Sequence, residues 1–380
     1  MDFRLNSEQQ MIVEMVRQFV KKEVKPVASQ MDREGRFPRS LVKKMGELGL
    51  MGAFIPPEYG GSGMDMVSYV LAMEEISSAW ASLSVIMTVN NSLVCEPIFR
   101  FGNEPQKQNY LTRLAKGELL GCYALTEPGA GSDAGSLKTT AIKKGNRYLL
   151  NGTKLFITSG KEADIAIVYA LTTPEKGKKG MSAFLVEKSF PGFTVGKLED
   201  KLGLRSSDTA ELLFQNCEVP EENLLGVENE GFKIALATLD GGRIGIASQA
   251  LGIANGCLEE AAAYSKTRRQ FDQTLSSFQA VQWMLADMKV EIDAARLMIL
   301  KAACKRERGI PMTVDAAKAK WFASEMANRT AYKALQVFGG YGYTKETNVE
   351  RFYRDARITT LYEGTSEIQK WVIARELLKT

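Results

Sequence analysis

Apolar positions recur at three- and four-residue spacing through the first third of the chain. They then break into short runs, and return at helical spacing to the end. In the first third, Ile12, Met15, Val16, Phe19 and Val20 fall on one helical face. Asn6 or Ser7, with Gln9 or Gln10 three residues on, supplies the capping signal. A loop at Phe37-Pro38 leads into a second helix ending near Gly49, and residues 56–63 form a turn-rich break. Further helices are predicted over 66–76 and 81–99, and Asn103-Glu104-Pro105-Gln106 reads as another capped start.

The character changes near Cys122. Residues 155–158, 165–170, 181–186 and 211–217 are short runs rich in β-branched and aromatic residues, separated by Gly, Pro and Asn. Asn151-Gly152 is the strong two-residue hairpin signal and Gly145-Asn146 a weaker one. These runs predict a small antiparallel β domain, sandwich or barrel. From Gly231 the helical period returns over 232–239, 244–264, 278–306 and 313–338, with Thr313 as the cap of the last. Ala319, Phe322, Ala323, Met326, Ala327 and Ala334 form a stripe suited to close packing in a four-helix bundle. The fold class is α+β, mainly α, in three units: 1–121, 122–230 and 231–380.

Composition narrows the function. Charge is spread along the chain, the net value is +4, and no Lys/Arg block interleaves with aromatics, so nucleic-acid binding is not suggested. Five widely spaced cysteines fit neither a disulfide framework nor a zinc site and point to a reducing compartment. The N-terminal stretch has no leader character and no apolar run is long enough to span a bilayer, so a cytoplasmic location is expected. The chain has no histidine. That removes the usual proton carrier and the commonest metal ligand, so no metal is expected and acid–base work falls to a carboxylate, Lys, Tyr or Cys.

One such carboxylate is Glu363, between Tyr362 and Gly364 in the stretch 360–367. Leu361 and Tyr362 can desolvate it and raise its pKa, and Gly364 can adopt positive φ. The same stretch also reads as a helix–helix turn in which Thr365 or Ser366 caps the next helix. Residues 123–133 (Tyr-Ala-Leu-Thr-Glu-Pro-Gly-Ala-Gly-Ser-Asp) offer hydroxyls and bare glycine backbone to a polar ligand, and the glycine spacing is not the dinucleotide fingerprint.

These stretches, in this order, resemble the acyl-CoA dehydrogenase family. The Thr-Glu-Pro-Gly-x-Gly-Ser-Asp run at 126–133, Phe156-Ile157-Thr158-Ser159, Asp240-Gly241-Gly242-Arg243, Arg268-Arg269-Gln270-Phe271, Gln336–Gly342 and 360–367 carry the likeness. Residues 240–252 and 338–343 look like its short-chain, butyryl-type branch. The resemblance implies FAD, with Glu363 taking the α-proton of an acyl-CoA while the β-hydride passes to the flavin. It places Tyr123, Leu125, Thr126, Ser132, Phe156, Thr158, Arg268, Gln270, Phe271, Gln279, Gln336, Gly339, Gly340 and Thr365 at the cofactor. Ser132, Asp240, Arg243, Gln249, Tyr362 and Gly364 are placed at the substrate. It implies an electron-transferring flavoprotein as partner and a homotetramer, a dimer of dimers, in which Gln336 and its neighbours often serve an adjoining subunit's FAD.

Gln249 stands where a short-chain member closes the acyl pocket. Three residues depart from the family pattern: Asp272 after Phe271, and Val94 and Glu96 after Asn90-Asn91-Ser92-Leu93. The last two leave a branched or alicyclic acyl group as an alternative. A flavin acyl-CoA oxidase and a nitroalkane-oxidase-like enzyme, which carries Asp as base, are rivals on the same scaffold. A CoA-binding scaffold without flavin is the non-enzymatic one.

Overall fold

The computed structural model describes residues 4–379; residues 1–3, at the head of the stretch read for a leader, and residue 380 lie outside the described residues. α1 (Ser7–Phe19) passes through a π turn into α2 (Lys25–Glu34), and Asn6 caps it in a reciprocal pair of bonds with Gln9. α3 (Arg39–Glu47) follows, then α4 (Met66–Ala79) and α5 (Ala81–Thr88). The single helix expected over 81–99 widens into a π turn at Val89–Cys95 before continuing as α6 (Glu96–Phe101). Two buried amides hold that turn. Asn90 Nδ2 donates to the Met51 and Leu114 carbonyls at 2.9 and 3.1 Å, and Asn91 Nδ2 to those of Leu50 and Met87 at 2.8 and 2.9 Å. α7 (Glu104–Gln106), opened by an Asn103 capping box, and α8 (Thr112–Ala115) complete the first unit.

The strands are β1 (Gly121–Ala124), β2 (Thr140–Lys144), β3 (Arg147–Thr158), β4 (Ile165–Leu171), β5 (Met181–Glu187), β6 (Phe193–Leu198), β7 (Thr209–Pro220) and β8 (Leu224–Leu225). They form one sheet in the order β6-β7-β3-β2-β4-β5-β8, with β1 beside β4. Most pairs are antiparallel, but β4 runs parallel to both β1 and β2, pairings that the long connections into β4 permit. Asn151-Gly152 is not a turn. β3 runs straight through it, and the hairpin turn is Gly145-Asn146, which closes Lys144 onto Arg147. Gly152 sits at a register shift against β7, where a side chain would collide with Thr139. The Asn-Gly signal marks a bulge.

α9 (Gly231–Thr267) is one helix of 37 residues, where the sequence predicts two. Gly241 and Gly242 do not end it; they let neighbours approach its backbone. A methyl on Gly241 would lie 2.6 Å from Glu96 Oε2, and one on Gly242 would overlap the Glu363 carboxylate. Arg243 is therefore mid-helix and buried. A hairpin of β9 (Arg269–Gln270) and β10 (Gln273–Thr274) leads to α10 (Gln279–Glu307), α11 (Thr313–Phe338), α12 (Asn348–Ile358) and α13 (Ser366–Leu377). Thr313 is not the cap of α11. It is the first helical residue, and its hydroxyl donates to Asp240 at 2.5 Å.

The small-residue stripe of α11 packs against α9, and α9 also packs on α4. The first and third units thus share one hydrophobic core, while the two faces of the sheet are lined by others. No helix among the described residues is long and apolar enough to cross a membrane.

Candidate active site

The α12–α13 loop carries Tyr362-Glu363-Gly364. Glu363 has φ 50° and Gly364 φ 88°, so two successive residues turn left-handed. For a glutamate this costs about 1–3 kcal/mol and persists only where surroundings enforce it. Three bonds do so here. Gln369 Nε2 donates to the Glu363 and Gly364 carbonyls at 3.1 and 2.9 Å, and Lys320 Nζ donates to the Gly364 carbonyl at 2.7 Å. Thr365 caps α13 through its side chain. The Glu363 N–H finds no partner among the hydrogen bonds of the described residues.

The carboxylate lies beneath Gly242 of α9, with Oε2 shut off from solvent and without a hydrogen-bond partner. Burial pushes the Glu363 carboxyl up to about 7, against the pull of the Lys320 and Arg243 charges.

Arg243 pairs with Asp240 at 2.7 Å, and its Nε is buried without a partner. Burial lowers its pKa, and Asp240 and Glu363 oppose that. Gln249 is fully buried rather than solvent-facing. Its Nε2 donates to the Ala81 carbonyl at 2.8 Å and to Ser84 Oγ at 3.1 Å, and its Oε1 accepts from the Tyr362 hydroxyl. It thus wedges between α5 and the Glu363 loop. The Tyr123 hydroxyl is also buried without a partner, and its pKa is raised by burial first, then by Tyr169 and by Glu363, so it shares the Glu363 surroundings.

The loop after β1 is held from beneath. Lys154 of β3, fully buried, donates to the Leu125 carbonyl at 3.2 Å and to Glu127 at 2.7 Å. Glu127 also accepts from the Lys138 and Thr139 N–H groups at 2.6 and 3.0 Å. The Thr126 carbonyl accepts from Leu155 N–H at 2.9 Å. Above this anchor the loop is bare: Gly129 and Gly131 have open space where a side chain would stand, and Ser132 is exposed. At the end of β3 a second register shift turns Phe156 outward with φ 56°, leaving Ile157 in the core and Thr158 half-buried.

The remaining candidates gather elsewhere. Arg268 follows α9, and 25 residues of helix at 1.5 Å each put it about 38 Å from Arg243. There it lies over the Tyr341 ring at 5.5 Å, beside the exposed Gly339 and Gly340 that end α11. Gln270, Gln279 and Gln336 are exposed. Phe271 and Asp272 are the two central residues of the β9–β10 turn, with φ 50° and 62°. Both positive values are those of a type I′ turn, in which Asp is well tolerated. Asp272 is therefore accounted for by the turn, and Phe271 is presented at its tip, 87% exposed. Of eight non-glycine residues with positive φ among the described residues, three are Phe156, Phe271 and Glu363.

The family models for the N-terminal, middle and C-terminal domains of acyl-CoA dehydrogenase match residues 6–118, 122–217 and 229–378. The chain belongs to the acyl-CoA dehydrogenase family. It is 52% identical over 379 residues to a short-chain-specific acyl-CoA dehydrogenase of Clostridium acetobutylicum, with 100% of both chains covered. It superimposes with a TM-score of 0.98 on butyryl-CoA dehydrogenase from Megasphaera elsdenii, at 48% identity over 100% of both chains. The TM-score is 0.99, at 50% identity over 100% of both chains, with a chain solved in work on the electron transferring flavoprotein of Acidaminococcus fermentans and flavin-based electron bifurcation.

The residues of this family member fit a flavin dinucleotide. Bare glycines and an outward Phe156 stand at one place, and an exposed Arg268, Phe271 and open glycines at another. Sequence reasoning missed Lys320, Lys154, Glu127 and Gln369. The lysines carried a signal: Lys320 interrupts the small-residue stripe of α11, and Lys154 alternates inward on β3.

Proposed function

We propose that this chain is an FAD-dependent acyl-CoA dehydrogenase that converts a short-chain acyl-CoA to its trans-2-enoyl-CoA. The observation that carries this is Glu363: a half-buried carboxylate whose Oε2 is shut off from solvent and free, on a left-handed residue whose N–H is unclaimed. FAD, when bound, supplies a hydride acceptor. The chain supplies the rest. Glu363 Oε2 takes the α-proton, and a carboxyl held near 7 is a competent base at neutral pH. The Glu363 N–H is a donor for the thioester carbonyl, where negative charge develops as the proton leaves. Arg243 and Lys320 favour the ionised base. Gln249, locked by three bonds, shortens the space behind the acyl group.

The two residues that raised a branched or alicyclic alternative have other tasks. Val94 packs on Gly121 at the start of β1, and Glu96 pairs with Arg306 at 2.9 Å. A straight short chain is the reading we favour.

The separation of Arg268 and Phe271 from the Glu363 site supports FAD sites shared between copies, within a dimer of dimers. Trp283, Val290 and Leu297 form an exposed heptad-spaced stripe on α10 that suits such packing. An electron-transferring flavoprotein is the proposed acceptor, a reading supported by the likeness to a chain solved in work on the electron transferring flavoprotein of Acidaminococcus fermentans. Five free cysteines suit the cytoplasm, and 1–121, 122–230 and 231–380 are the proposed working units. The test is flavin content with substrate-driven flavin reduction: a protein that cannot be loaded with FAD, or is loaded yet inert toward short acyl-CoAs, contradicts the proposal.

A further inference from the structure

Lys320 is the only charged residue among those α11 buries. It has no exposed surface, and its Nζ makes one hydrogen bond, to the Gly364 carbonyl at 2.7 Å. Among the described residues it makes no ion pair within 4.0 Å, so it is not half of a structural salt bridge. A buried ammonium is costly, and an apolar side chain would fill the same stripe at lower cost. The charge must act over a longer distance.

Four charged groups face it. Glu363 lies on the catalytic loop, Arg243 on α9, Glu325 one turn along α11 and Glu367 on α13. Glu325 is occupied by the Ser366 hydroxyl at 2.6 Å, Arg243 by Asp240, and Glu367 is exposed. Glu363 is the anion whose buried Oε2 is left without a contact partner.

We propose that Lys320 is a positioning residue for the base, pinning the Gly364 carbonyl so that Glu363 stays under Gly242 and holding Glu363 ionised ahead of substrate. This rests on Glu363 being the base. Burial brings the Lys320 ammonium down to about 7, with the Glu363 charge opposing, so the two groups depend on each other. Each favours the charged form of the other, so the state with Glu363 ionised and Lys320 protonated is widened by their attraction. Proton capture by Glu363 ends that attraction, and Lys320 then holds its own proton less tightly.

The test is the pH dependence of flavin reduction by butyryl-CoA in the FAD-loaded native protein, Lys320→Met, Lys320→Gln and Lys320→Arg. Loss of the charge moves the rising limb to higher pH by about one unit, so Lys320→Met is slower by about tenfold at pH 6 and within about threefold of native at pH 9. Lys320→Gln keeps a donor for Gly364 without the charge. It is expected to shift equally, and is the arm to read if Lys320→Met loses flavin. Lys320→Arg restores the native midpoint. A neutral variant that holds flavin and keeps the native midpoint, whatever its plateau, overturns the proposal. A native protein that never reduces its flavin instead overturns the function on which it rests.

Discussion

Glu363→Gln is expected to make the protein more stable at alkaline pH while slowing its chemistry by orders of magnitude. The folded carboxyl is held at about 7, against an ordinary 4.5 in the unfolded chain. Between those values the folded state binds the proton more tightly. The Glu363 contribution to stability is therefore most favourable below pH 4.5, falls as pH rises toward 7, and stays reduced above it. The gap corresponds to about 3 kcal/mol at 1.36 kcal/mol per pH unit. A glutamine of the same shape carries no such penalty. For 380 residues unfolding with about 2.1 cal/mol/K each, 3 kcal/mol is about 4 °C in Tm. The assay is thermal unfolding of FAD-loaded native and Glu363→Gln protein at pH 5 and pH 8.5. The account expects near-coincident curves at pH 5 and the variant melting later at pH 8.5. A difference that does not grow with pH, or a variant that melts earlier at pH 8.5, would show that burial does not raise the Glu363 carboxyl.

Two further substitutions probe the pocket. Gly242→Ala should gain helix propensity of about 1 kcal/mol yet displace the Glu363 carboxylate, lowering substrate-driven flavin reduction about 10²-fold; stopped-flow absorbance of flavin-loaded protein reads this, and native-like rates would remove Gly242 from the site. Gln249→Ala should shift the preferred acyl-CoA toward hexanoyl or octanoyl, each added buried methylene contributing about 0.8 kcal/mol. An unchanged kcat/KM ranking across butyryl-, hexanoyl- and octanoyl-CoA would show that Gln249 does not close the pocket.

The helices with reciprocal caps at Asn6 and Asn103 were readable because capping is local, and the Glu363 stretch because its neighbours set its environment. Where the reading failed, a residue's task depended on remote contacts. Gly241-Gly242 look like a helix break until Glu96 and Glu363 are seen against their bare backbone. Asn151-Gly152 look like a hairpin turn until Thr139 is found where a side chain would stand. Thr313 has the chemistry of a cap but spends its hydroxyl on Asp240, 73 residues away. Lys320 and Lys154 are half legible: the α11 stripe and the β3 alternation place them inward, but the partners that receive their charges lie on other elements. The separation of Arg268 from Arg243 was already implicit in the helix predicted over 244–264, which lies between them.

The central claim is that Glu363 takes a proton from an acyl-CoA bound beside FAD. Anaerobic mixing of FAD-loaded protein with butyryl-CoA, followed by loss of the oxidised flavin absorbance in a single turnover, tests it most directly. Native protein should bleach. Glu363→Gln should bind the same ligand and bleach slower by about 10²–10⁴-fold, the usual worth of a positioned base. Bleaching of Glu363→Gln at the native rate would contradict the claim.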